Sequence, residues 1–145
     1  MINVRGLSFS YPSGPSFTFP DFACAAGEHL LVLGQSGKGK TTLLHLLAGM
    51  IRPSAGSIHI QNTDIANLGN RELDKFRGQH IGIIFQTAHF VDSISVLDNL
   101  MLSPFLSGKK TPKTEAIGVL ERLNVGHKAS VKPASLSVGE QQRCA

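Results

Sequence analysis

Apolar and polar residues alternate loosely over residues 2–11, through Val4, Leu7, Phe9 and Tyr11, which predicts a strand with one buried face. Pro12-Ser13-Gly14-Pro15 turns the chain, and Phe17, Phe19 and Phe22 open a second strand. Residues 29–33 and 81–85 are apolar almost throughout, the pattern of strands buried inside a sheet. Between these runs, the leucines of residues 42–50 recur at helical spacing, and that helix stops near Arg52-Pro53. A short strand at residues 57–60, a polar loop and a helical patch at residues 71–77 follow. Beyond Gln86 the pattern turns helical. Ser95 and Asp98 cap a helix carrying Val96, Leu97, Leu100 and Met101, which Pro104 closes. A second amphipathic helix covers residues 115–123 through Ile117, Leu120 and Leu123.

The turn between the first apolar run and its helix carries the chemistry. Gly34-Gln35-Ser36-Gly37-Lys38-Gly39-Lys40-Thr41 fits Gly-x-x-x-x-Gly-Lys-Ser/Thr at every fixed position, with Thr42 next in the helix. Glycines let successive backbone N–H groups converge on phosphate oxygens, and a helix N-terminus adds its positive dipole end. Lys40 is placed to reach the β- and γ-phosphates, and the Thr41 hydroxyl to ligate Mg²⁺. A plain glycine-rich turn with a surface lysine would have to match the pattern and both flanks by chance. The chain is therefore expected to be an α/β protein with a P-loop core. An antiparallel β layer precedes that core, and together they occupy residues 1–86; a helical part occupies residues 87–145.

Composition narrows this only slightly. A length of 145 residues suits one domain with its own core. The 41% hydrophobic content and mean hydropathy of +0.05 describe a globular chain without a membrane-length apolar stretch. Met1-Ile2-Asn3-Val4-Arg5 does not read as a signal peptide. Cys24 and Cys144 have no metal-type spacing, so a reduced cytosolic setting is expected, and the six histidines form no metal-like pair. The net charge of +4 is spread along the chain. Its one cluster, Lys109-Lys110 with Lys113, sits in a Pro- and Thr-containing turn that reads as a solvated loop, and no nucleic-acid partner is expected.

Two further constellations make the P-loop more specific. Gln86 ends the second apolar run, and ligands of open α/β sheets sit at the carboxyl ends of strands. Taken alone, Gln86 is an ordinary polar strand end. Leu136-Ser137-Val138-Gly139-Glu140 contains Ser137 and Glu140 at capping-box spacing. A cap alone would explain that spacing, but a capped helix start with a serine hydroxyl and a glycine N–H is also a phosphate site.

On these motifs, in this order, the chain resembles the ATP-binding domain of ABC transporters from its first strand to its last residue. The family signature Leu-Ser-Gly-Gly-Gln appears here with departures at its third and fifth positions, Val138 and Glu140. The resemblance implies that Ser137 and Gly139 meet the γ-phosphate, that Tyr11 stacks on adenine, and that Gln86 touches the Mg²⁺ shell and the attacking water. Lys40 and Gln86 are then the catalytic residues, and Thr41 and Gln86 the metal-facing ones. ATP and Mg²⁺ are held by Tyr11, residues 34–42, Ser137 and Gly139. Lys38 departs from the small residue usual at its position. Residues 71–86 with Ser95-Val96-Leu97-Asp98-Asn99-Leu100 resemble the branch serving lipoprotein release and macrolide efflux.

The resemblance further implies a head-to-tail dimer working with transmembrane permease subunits on the cytoplasmic face of the inner membrane. Family members continue to an apolar strand ending in Asp, then a catalytic Glu and a switch His. Here the apolar runs end in Gly34 and Gln86, so the chain reads as an N-terminal fragment that binds ATP without hydrolysing it. The alternatives are a small-molecule kinase on a P-loop, which needs an acceptor site and an arginine-rich lid, and a catalytically inert nucleotide-binding module.

Overall fold

The computed structural model describes residues 1–144. These fall into two compact units, divided between Arg77 and Gly78.

The first unit is organised around β1 (Ile2–Ser10). Its far half pairs with β2 (Ser16–Thr18), and its near half pairs on the same side with β3 (Phe22–Cys24). The other side carries β4 (Ala55–Ile60) and then β5 (Thr63–Asp64), and every pairing is antiparallel. Val4 and Leu7 are both buried although three residues apart, which a regular strand would send to opposite faces. A register shift between Arg5 and Ser8 absorbs the extra residue at Gly6, whose φ is +55°. The Gly6 N–H donates to Asp21 Oδ1 at 2.7 Å, which holds the bulge. Opposite, a Cβ on Gly56 (φ +92°) would run into the Gly6 carbonyl. Helix α1 (Lys40–Leu47) lays Leu43 and Leu46 on the resulting apolar face beside Leu7, Phe19, Ile58 and Ile65, and Leu73 of α2 (Asn70–His80) completes this core.

The second unit contains α3 (Val96–Leu106), α4 (Lys113–Arg122) and α5 (Val138–Cys144), with short 3₁₀ turns at Gly126–Lys128 and Pro133–Ser135. Its core joins Val96, Leu120, Val125 and Leu136. The open N–H groups at the start of α3 are met in two ways. Ser95 Oγ accepts from Asp98 N–H at 3.1 Å, and the Val131 and Ala129 carbonyls accept from Val96 and Leu97, both at 2.9 Å.

Several expectations are corrected. Residues 29–33 and 81–85 are not strands, and Leu31, Leu33 and Ile84 are 77%, 80% and 85% exposed. A strand needs a ladder partner, and none of the observed strands pairs with either run. The second predicted strand is split in two at Phe19-Pro20-Asp21, where proline supplies no N–H. Pro104 lies inside α3 rather than closing it, since a proline one turn from the end costs one internal bond and the following turn meets the last carbonyls. The polar loop after residue 60 contributes the short β5.

The bulge and its glycine contact make a test. Gly56→Ala should lower stability by about 2–4 kcal/mol, because strained φ and steric overlap add. Gly27→Ala, also at positive φ (+84°) but with open space around its Cβ, should cost about 1–2 kcal/mol. Denaturant titration compares them, and equal losses would show that the Gly6–Gly56 approach is not a rigid constraint.

Candidate functional site

The loop between residue 33 and α1 is shaped by its glycines. Gly37 (φ +77°) and Gly39 (φ +83°) occupy left-handed backbone, which side-chain-bearing residues rarely adopt. The loop is closed by a bond from Lys38 N–H to the Gln35 carbonyl, at 3.4 Å. Gly39 serves as the N-cap of α1, and no side chain caps the helix. Its first turn carries no acidic residue, so the N–H groups and dipole end there are directed at nothing negative in the first turn itself.

Lys40 folds back over this loop. Its Nζ donates to the carbonyls of Gly34 and Gln35, both at 2.8 Å, so the ammonium sits at the head of the loop. Thr41 is exposed, and its hydroxyl makes no hydrogen bond among the described residues. Thr42 is buried, and its hydroxyl shares a 3.2 Å hydrogen bond with that of Tyr11. Ser36 and Lys38 are exposed. The residues of the loop therefore fit an anion at the α1 end, a cation-binding hydroxyl beside it, and a lysine that can exchange loop carbonyls for a stronger acceptor.

Aromatic residues build the back of the loop. Tyr11 lies edge-on to Phe9 at 4.7 Å and to Phe17 at 6.4 Å, and Phe17 stacks on Phe19 at 6.2 Å. The Phe17 ring presses against Gly39 so closely that a Cβ there would lie 2.6 Å from it. Sequence reasoning missed Phe17 as part of the site, because its place in a strand pattern gave no sign that the ring meets the loop. A separate cleft of about 300 Å³ is lined by Gly49, Met50, Arg52, Asn70 and Arg77 among others. Its cations are already engaged: Arg52 with the Ala66 and Leu68 carbonyls, and Arg77 with Asp74 at 2.7 Å.

The first unit thus brings together Tyr11, Gly34, Gln35, Gly37, Gly39, Lys40 and Thr42. Gln86, Ser137 and Gly139 belong to the second unit. Gln86 is exposed in a bend, and its side chain has no hydrogen bond among the described residues. At Ser137 the capping box is formed. Its N–H and Oγ both donate to Glu140 Oε2, at 2.7 and 2.8 Å, and its Oγ accepts from the Glu140 N–H at 3.4 Å. These two donors, backbone first, hold the Glu140 carboxyl below its ordinary range, with smaller help from Lys128 and His127. Glu140, a departure from the signature pattern, acts here as the cap partner.

Comparison with known proteins supplies a family. The family model described as ABC transporter matches residues 19–145. The lipoprotein-releasing system ATP-binding protein LolD of Xanthomonas oryzae pv. oryzae (strain MAFF 311018) is 36% identical over 151 residues, covering all of this chain and 62% of that protein. The LolD of Bacteroides fragilis (strain YCH46) is 34% identical over 147 residues, covering all of this chain and 68% of that protein. Among solved structures, a dimeric ATP-binding cassette in a post-hydrolysis state with ADP and Pi superposes with a TM-score of 0.89 at 25% identity. A dimeric bacterial ABC transporter cassette superposes with 0.86 at 27%. Both matches cover 99% of this chain and 66% of the other. The chain spans about 62% of the length of the first of these relatives. With sequence, fold and loop in agreement, this chain belongs to the ABC transporter family.

Proposed function

We propose that this chain is the ATP-binding part of an ABC transporter ATPase. The observation that carries this reading is the uncapped start of α1 behind Gly37 and Gly39, with Lys40 at the loop head and Tyr11 bonded to Thr42. The N–H groups of residues 39–42 receive the phosphates, and Lys40 leaves the Gly34 and Gln35 carbonyls for the β- and γ-phosphates. Thr41 supplies a hydroxyl to Mg²⁺, whose role is to neutralise charge on the phosphate oxygens. Tyr11, backed by Phe9 and Phe17, offers its face to adenine, and Gln86 is the candidate for the metal shell on its place in the order of motifs. A P-loop kinase is disfavoured by Ser137 and Gly139, which form a capped helix start of the kind that binds a second phosphate contact.

Nucleotide titration tests the site. Charge-assisted contacts are worth roughly 1.5–3 kcal/mol each, so Lys40→Ala should weaken ATP binding by about tenfold to a hundredfold. Tyr11→Ala should weaken ATP and ADP alike by roughly tenfold, as loss of ring stacking does. Tyr11→Phe, which removes only the bond to Thr42, should retain most of the affinity. A folded Lys40→Ala protein that binds ATP as tightly as the parent chain would refute the loop assignment.

For these 145 residues we expect binding without steady turnover. Phosphoryl transfer needs Mg²⁺ held from two sides and a carboxylate to position water, and the apolar runs close on Gly34 and Gln86 instead. Phosphate release abolished by Lys40→Ala would overturn this.

In the longer protein, Ser137 and Gly139 close over the ATP of a second copy, and permease subunits receive the motion at the inner membrane. The relatives named as lipoprotein-releasing ATP-binding proteins and the dimeric cassettes support this. Mixing full-length Lys40→Ala subunits with Ser137→Ala subunits should restore ATP-dependent dimerisation, because both defects fall on one composite site. A mixture no better than either homodimer would place Ser137 in cis or leave it a helix cap only.

A further inference from the structure

The nucleotide site as described leaves the Lys38 side chain without a role. Its backbone is fixed on both sides. Gly37 and Gly39 take left-handed φ of +77° and +83°, the Phe17 ring presses on Gly39, and Lys38 N–H donates to the Gln35 carbonyl at 3.4 Å. The side chain is exposed and makes no hydrogen bond or ion pair among the described residues.

The root of that side chain lies beside Lys40. A Cβ placed on Gly34 would meet Lys38 Cβ and Lys40 Cδ, each at 3.9 Å, so both stems adjoin one point of the loop. From there the Lys40 ammonium is held by the Gly34 and Gln35 carbonyls, while the Lys38 ammonium ends a flexible stem that holds no partner. Nothing acidic lies near in sequence to offset this charge. Residues 29–63 contain no Asp or Glu, and Glu28 Oε2 accepts from the Ala25 N–H at 2.7 Å.

A lone exposed lysine is usually only solvated. Here two ammonium groups and the positive end of α1 share one short loop, so each raises the cost of the others until an anion arrives. The relief grows with the negative charge of the anion and with its closeness, because salt screens exposed charges beyond about 8–10 Å. Among adenine nucleotides the triphosphate brings the most charge, and its terminal phosphate carries the largest share.

We propose that Lys38 is a second phosphate-facing cation, which strengthens the preference of this loop for a nucleoside triphosphate over a diphosphate. Its ammonium meets the terminal phosphate, while Lys40 spans the β- and γ-phosphates. This role rests on the nucleotide reading of the loop and adds a specificity determinant to it. Mg²⁺ neutralises the same charge, so Lys38 counts for more when Mg²⁺ is absent.

Calorimetric titration of the 145-residue chain with ATP and with ADP, each with Mg²⁺ and with a chelator, tests the assignment. Lys38→Ser should weaken Mg²⁺-ATP binding by about fivefold at low salt, the scale of one exposed ion contact, and ADP binding by about twofold or less. Removing Mg²⁺ should enlarge the ATP loss, and raising the salt should shrink it. Lys38→Arg keeps the charge and should bind both nucleotides as the parent chain does. An ATP loss that ADP matches, that persists at high salt or that Lys38→Arg shares would overturn the proposal, since a deformed loop would explain it. Lys38→Ser binding ATP as tightly as the parent, or an ATP loss that shrinks without Mg²⁺, would overturn it too. Lys40→Ala measured alongside separates the two claims. Undiminished ATP binding there defeats the nucleotide reading and this role with it, whereas a weakened Lys40→Ala beside an unchanged Lys38→Ser defeats the Lys38 role alone.

Discussion

Gly39 is held between two demands that only glycine meets. Its backbone must turn through left-handed φ to start α1, and the Phe17 ring leaves no room for a side chain. The arrangement fixes where α1 begins, and with it where the open N–H groups of the first turn lie. Leu43 and Leu46 then anchor the same helix in the core beneath β1 and β4. The strand that supplies Phe17 also pairs with the end of β1, directly before Tyr11. A single packing arrangement thus sets the loop, the helix start and the aromatic wall together. Displacing Phe17 would disturb all three without removing a group that touches nucleotide.

The charges of the site are arranged for exchange rather than for stability. Lys40 Nζ donates hydrogen bonds to two carbonyls of its own loop, which are neutral acceptors and weaker partners than a phosphate oxygen. The cations of the neighbouring cleft are bound to carbonyls and to Asp74. In the second unit Glu140 occupies Ser137 through both its N–H and its hydroxyl. The carboxylate places a negative charge at this helix start, which the glutamine of the family signature would not carry.

The loop conformation and the two helix caps were legible in sequence because their rules are local. The loop pattern, the Ser95 cap and the Ser137–Glu140 box each depend on residues within a few positions, and each formed as read. The failures came from contacts that spacing cannot encode. Residues 29–33 and 81–85 look like strands because they are apolar, but a strand is defined by a partner, and no observed strand supplies one. The bulge at Gly6 is set by its approach to Gly56, fifty residues away in the chain, and by Asp21. Phe17 is invisible as a site residue for the same reason. Pro104 misled in the opposite sense, since its position in the last turn of α3 made it tolerable.

The central claim is that the backbone from Gly37 to Thr42 is the phosphate cradle. Amide-resolved nuclear magnetic resonance, with Mg²⁺-ATP titrated into the labelled chain, tests it most directly. The account predicts saturable shifts of the Gly37, Gly39, Lys40 and Thr41 amide signals, and a midpoint about tenfold to a hundredfold higher in the Lys40→Ala protein. Saturable shifts confined to other residues, with these four amides unmoved, would contradict it.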